Sequence, residues 1–181
     1  MKNTAFILLI FSFISITSCG DKENTTEENQ VVLLKGHEEL NLTSWGFPMS
    51  VMVPDAENNG EAQVTLTNRG ALEIIVGQNF GIEIIYGEGD IDLLKMDLEE
   101  DLVFSSEIIK EEENLLIYKQ NIPESGIKTQ YHFFQKVVIG SDIYEVRDLQ
   151  GEQYEEKMIE DMIKAVQTLR LTPITSSESK V

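Results

Sequence analysis

Two histidines, one cysteine and 32 acidic residues are the groups with which this 181-residue chain could do chemistry. His132 lies in "KTQYHFFQKVVIG", where strand alternation puts it on the face of Phe134 and Val138, opposite Tyr131 and Phe133. A half-buried strand histidine, hydrogen-bonded or near solvent, is the plain reading. A general base would need in addition a concave pocket and a carboxylate meeting the ring. His37 stands far away in a polar segment, and with no cysteine nearby a tetrahedral zinc site has too few ligands. Ser125-Gly126-Ile127-Lys128 satisfies the S-x-x-K nucleophile pattern, but Pro123 and Gly126 mark a turn and Lys128-Thr129 is followed by Gln130, not by the glycine of a K-T-G. Glu88, Asp90, Asp92 and Glu99 fall at the first, third, fifth and twelfth places of a calcium-loop count. The sixth place, where the sharp bend demands glycine, is Leu93. Gly87-x-Gly89 lacks the third glycine of a phosphate loop and lies among carboxylates that repel phosphate. Trp45, Phe47 and Met49 either cover one end of the core or, if exposed, form a binding patch. No catalytic residue, no metal site and no cofactor is expected.

These residues need a scaffold, and the hydrophobic periods supply one. "MSVMVP" reads as a first strand ended by Pro54. "QVTLTN", "ALEIIVG" and "FGIEIIYG" read as an antiparallel meander. From Asp90 the period changes: Ile91, Leu94, Leu98 and Leu102 share one helical face, with Asp90 as N-cap. "FSSEIIKE" with "NLLIYKQNI", and "KTQYHFFQKVVIG" with "DIYEVRDL", read as two hairpins. Tyr154, Met158, Met162, Val166 and Leu169 then form the apolar stripe of a closing helix, stopped at Thr172-Pro173. The expectation is α+β: a curved antiparallel sheet of six to seven strands with one mid-chain and one C-terminal helix packed on it. The net charge of −18 disfavours nucleic acid and anionic lipid surfaces as partners.

The N-terminus is organised differently. Lys2 precedes an apolar run from Ala5 to Ile16, too short to span a bilayer as a helix, and Ile16-Thr17-Ser18-Cys19 follows. The pattern of branched apolar, small, small, cysteine resembles the lipobox of bacterial lipoprotein precursors. That resemblance implies a signal peptide over 1–18, cleavage before Cys19, and lipidation of Cys19 by diacylglycerol, with acylation of its new amino group in Gram-negative bacteria. Several acyl chains on one residue hold a protein to a membrane where a single chain does so only marginally. Residues Gly20 to Gln30 carry four acidic side chains and no apolar one, so 19–42 is expected to hold the lipidated cysteine and an acidic tether. Asp21 and Glu23 loosely resemble an address for export to the cell surface. The implied location is the outer membrane, on its periplasmic side or at the cell surface.

Residues 43–172 are expected to form the folded domain, with 173–181 as a polar tail. The order of elements, together with Phe47-Pro48 and Val53-Pro54 around the first strand, resembles the PsbP/Mog1-like sandwich; a cystatin-like helix-on-sheet domain is the alternative. The PsbP/Mog1-like resemblance implies an accessory or binding module and carries over no catalytic residues; together with the anchor, the expectation is a lipid-anchored, non-catalytic protein whose partner is a protein or other envelope component. The alternative function is a small carboxylate- and histidine-dependent hydrolase or ligand-processing enzyme built around His132.

Overall fold

A computed structural model describes residues 33–172 of the chain. The lipobox residues Ile16, Thr17, Ser18 and Cys19, the signal peptide, most of the tether and the polar tail lie outside the described residues.

Among the described residues ten strands make two antiparallel sheets. The larger has seven strands in the order β3-β4-β5-β9-β8-β7-β6. One half is the expected meander β3 (Gln63–Leu66), β4 (Leu72–Val76) and β5 (Phe80–Tyr86); the other is the two expected hairpins, β6 (Ser105–Glu112) with β7 (Leu115–Asn121) and β8 (Gln130–Ile139) with β9 (Asp142–Asp148). The halves join where β5 pairs with β9, Ile84 opposite Val146. The chain leaving β5 must therefore cross the sheet to reach its far edge at β6. It does so through helix α2 (Ile91–Glu100), which is why that helix lies on the face of β7 and β8.

The smaller sheet corrects the sequence reading at both ends of the domain. β2 (Met49–Pro54) does not join the large sheet; it pairs on one side with β1 (His37–Asn41) and on the other with β10 (Arg170–Leu171). Thus the folded domain starts before Thr43, with His37 opposite Pro54 rather than in a tether. The closing helix α3 (Glu156–Val166) ends earlier than its apolar stripe suggests. Thr168 explains the exit: its hydroxyl donates to the carbonyl of Ala165 (2.6 Å) and accepts from the Met52 N–H (2.8 Å). The chain is thereby handed from helix to sheet, and Leu169 packs from a loop. The DAENNGE turn is wound into the single turn α1 (Ala56–Asn59), capped by Asp55.

Each face of the large sheet has its own apolar cluster. Leu72, Ile74, Ile82, Ile84, Phe133, Tyr144 and Val146 meet β2 and α3 on one side, where Ile159 and Met162 are fully or almost fully buried. On the other side Leu116, Tyr118 and Phe134 are covered by Ile91, with Leu94 and Leu98 half-buried beside them. Leu102, placed by its spacing on that same stripe, lies beyond the helix end and is 99% exposed. Gly81 in β5 is demanded by contact rather than by turn geometry, because a Cβ there would collide with the Tyr154 hydroxyl and with Leu149.

Candidate functional site

Alternation along β9 turns Tyr144 and Val146 into the main core, and Asp148 holds the next position of that parity. A carboxylate there must be paired. The register of β8 and β9 ends with Phe134 opposite Arg147. Beyond that pair the Asp148 side chain takes over the bridging. One oxygen accepts the Phe133 N–H (2.8 Å) and the other meets Nδ1 of His132 (2.7 Å), with Asp148 3% and His132 8% exposed.

The carboxylate can only accept, so it holds the imidazole hydrogen on Nδ1. In the neutral ring Nε2 is then an acceptor. That nitrogen is buried and has no hydrogen-bond partner among the described residues. The ring stacks on Tyr118 with centroids 5.1 Å apart and planes inclined by 30°. Burial, reinforced by the charge of Asp148, pushes the Tyr118 hydroxyl well above the usual phenol range and keeps it neutral.

A groove of about 180 Å³ runs between α2 and this face of the sheet, with Asp90, Leu93, Leu94 and Asp97 on the helix side and Tyr118, His132 and Phe134 on the strands. Its one cation, Arg147, is committed elsewhere: the guanidinium grips the buried Glu83 through Nε (2.8 Å) and Nη2 (2.5 Å), while Arg69 binds the other oxygen of Glu83 at 2.6 Å. The groove thus keeps a surplus of negative charge around an aromatic floor.

The other candidates separate cleanly. Ser125 organises the β7–β8 turn, donating to the Ile122 carbonyl (2.7 Å) and accepting from the Ile127 N–H (3.1 Å). Asp90 caps α2 through the Leu93 N–H at 2.9 Å, so Glu88, Asp90, Asp92 and Glu99 flank and ride a helix and do not wrap an ion. Among the described residues no three His, Cys, Asp or Glu side chains gather to hold a metal. The candidate patch at Trp45, Phe47 and Met49 is corrected. Phe47 is 2% and Met49 0% exposed, and Trp45 packs half-buried against the core, so all three seal one end of it.

Exposed apolar side chains instead accumulate where α2 turns into β6. Leu93, Met96, Leu102, Val103, Ile108 and Ile109 all stand at least 40% exposed in these consecutive elements. The loop that presents Leu102 and Val103 is fixed by Asp101, whose carboxylate accepts the N–H groups of Val103 (2.7 Å) and Phe104 (2.9 Å). Those bonds hold the Asp101 carboxyl below the ordinary aspartate range. Ile109 is the unpaired residue of a bulge in β6, one of the two edge strands of the large sheet among the described residues.

Compared with protein-family models, with curated proteins and with solved structures, the chain matches none.

Proposed function

We propose that this chain is a lipid-anchored accessory protein of the bacterial cell envelope, non-catalytic, which docks a protein partner through the α2–β6 corner. The lipobox at Ile16 to Cys19 supports the anchor. The observation that supports docking is the α2–β6 loop: two large apolar side chains, one of them 99% exposed, held outward by a side-chain-to-backbone turn and flanked by Glu99, Asp101 and Glu107. A monomer gains nothing by ordering apolar side chains in water, whereas a partner gains a preformed surface. Outer-membrane attachment is part of the same proposal. The test is site-specific photo-crosslinking in intact cells. A crosslinker at Leu102 is expected to capture one recurrent protein, and one at Thr65 on the opposite sheet edge is not. Equal capture at both positions, or none at either, contradicts docking at this corner.

The pairing of Asp148 with His132 favours a second reading, a small hydrolase or ligand-processing enzyme with His132 as base. It requires turnover of an ester, amide or phosphoester that His132→Gln abolishes while the unfolding midpoint is kept. An activity screen in which the purified protein turns over none of these classes contradicts it.

A further inference from the structure

We propose that the groove beneath α2 binds a small organic cation with N–H donors, a protonated primary amine, which directs its ammonium group at Nε2 of His132. Such binding needs neither a membrane anchor nor turnover, so it stands apart from both readings above.

Three independent features select that class. First, Nε2 is a buried acceptor with no donor among the described residues. Leaving such a group unpaired costs free energy that a ligand N–H recovers. Second, the surrounding charge is predominantly negative. Among the described residues Asp90, Asp97, Glu145 and Asp148 line the groove against one guanidinium, Arg147, which Glu83 holds together with Arg69. A carboxylate or phosphate ligand would meet these groups as repulsion. Third, the aromatic side chains Tyr118 and Phe134 line the groove, and aromatic rings attract a cation once water is displaced. The volume of about 180 Å³ equals that of roughly half a dozen waters, which sets the size at a short alkylamine. A metal ion fits less well, because no set of three suitable ligands converges among the described residues.

Access requires α2 to shift, because Nε2 is closed off from solvent. The helix is seated for this. Ile91 is its only fully buried side chain, Leu94 and Leu98 are half-buried, and Leu93 and Met96 are exposed. A cover held by so little apolar area opens at small cost.

The chain has two histidines, so imidazole nitrogen NMR of the full-length protein, labelled with ¹⁵N-histidine and kept in detergent, reads the site directly, with His37 as internal reference. The probes are n-butylammonium, n-butanol and butyrate. Butylammonium is expected to move the His132 nitrogen signals saturably, at concentrations at least tenfold below those at which butyrate does, and to leave His37 unchanged. Asp97→Asn at the exposed rim should weaken the response several-fold without disturbing the fold. Asp148→Asn is the sharper variant: its carboxamide can donate to Nδ1, which moves the ring hydrogen to Nε2, turns the acceptor into a donor and abolishes the amine response. The proposal is overturned if butylammonium moves neither nitrogen of His132, if butyrate or butanol acts as strongly, or if Asp97→Asn leaves the affinity unchanged. Should Asp148→Asn fail to fold, the probe comparison and Asp97→Asn still decide.

Discussion

Asp148 shows how one side chain can carry both a fold and a site. It satisfies the Phe133 N–H, which the ending β8–β9 ladder leaves open, and fixes the tautomer of His132. Asp148→Ala orphans two buried donors at once and is expected to destabilise the protein by about 2–4 kcal/mol in denaturant unfolding. A change below about 0.5 kcal/mol would mean that water or a rearranged backbone takes over both bonds. The buried phenols make a second prediction at this scale. Tyr118, Tyr144 and Tyr154 are each raised above the ordinary value of 10.0, burial being the largest cause. A raised folded-state pKa favours the neutral hydroxyl, so this contribution is complete below pH about 10 and is lost as pH climbs through the higher folded values. The thermal midpoint should therefore fall steeply on the alkaline side, and Tyr154→Phe should shallow that fall; an unchanged alkaline limb in the variant would contradict the assignment. The sequence did hold a sign of Asp148, namely a charge on the inward parity of "DIYEVRDL". What it could not show is which neighbour the carboxylate meets, because that depends on where the β8–β9 register ends.

The elements were legible wherever the chain's own period decided them. Both hairpins, the meander, the cap at Asp90 and the α+β class all follow from alternation, turn residues and helical spacing. Pairings decided by tertiary partners were not legible. "HEELN" has too few apolar residues to announce a strand, yet its backbone completes the edge of β2. The helical stripe through Leu169 continues past Val166, and the chain turns away because Thr168 bonds both helix and sheet. Trp45, Phe47 and Met49 read more readily as a cover for one end of the core than as a surface patch, and the course of β2 over α3 places them there. Thr168→Val keeps the volume and removes both hydroxyl bonds, leaving the buried Met52 N–H without its acceptor. It should cost about 1–3 kcal/mol, read as a lower denaturant midpoint at unchanged slope. Met162→Ala, on the buried face of α3 and 0% exposed, should cost about 2–5 kcal/mol through lost burial and the cavity left behind. If both variants keep the wild-type midpoint, α3 does not hold the two sheets together.

At the scale of the whole molecule, the two sheets and α3 form one apolar core, while α2 covers a smaller one on the far face. The lightly seated helix borders both proposed binding regions, the amine groove beneath it and the apolar corner at its end. No helix among the described residues is long and apolar enough to cross a membrane. In the proposed function, attachment falls to the lipid on Cys19, because a chain of net charge −18 gains nothing from an anionic surface. The measurement that tests this most directly is metabolic labelling with an alkyne fatty acid, followed by membrane fractionation and intact-mass analysis of the wild type and Cys19→Ala. Lipid anchoring predicts a labelled, membrane-bound wild type whose chain begins at Cys19 with the added mass of its acyl groups, and an unlabelled variant that is released or left unprocessed. A Cys19→Ala protein that still fractionates with membranes as a processed, labelled chain would contradict it.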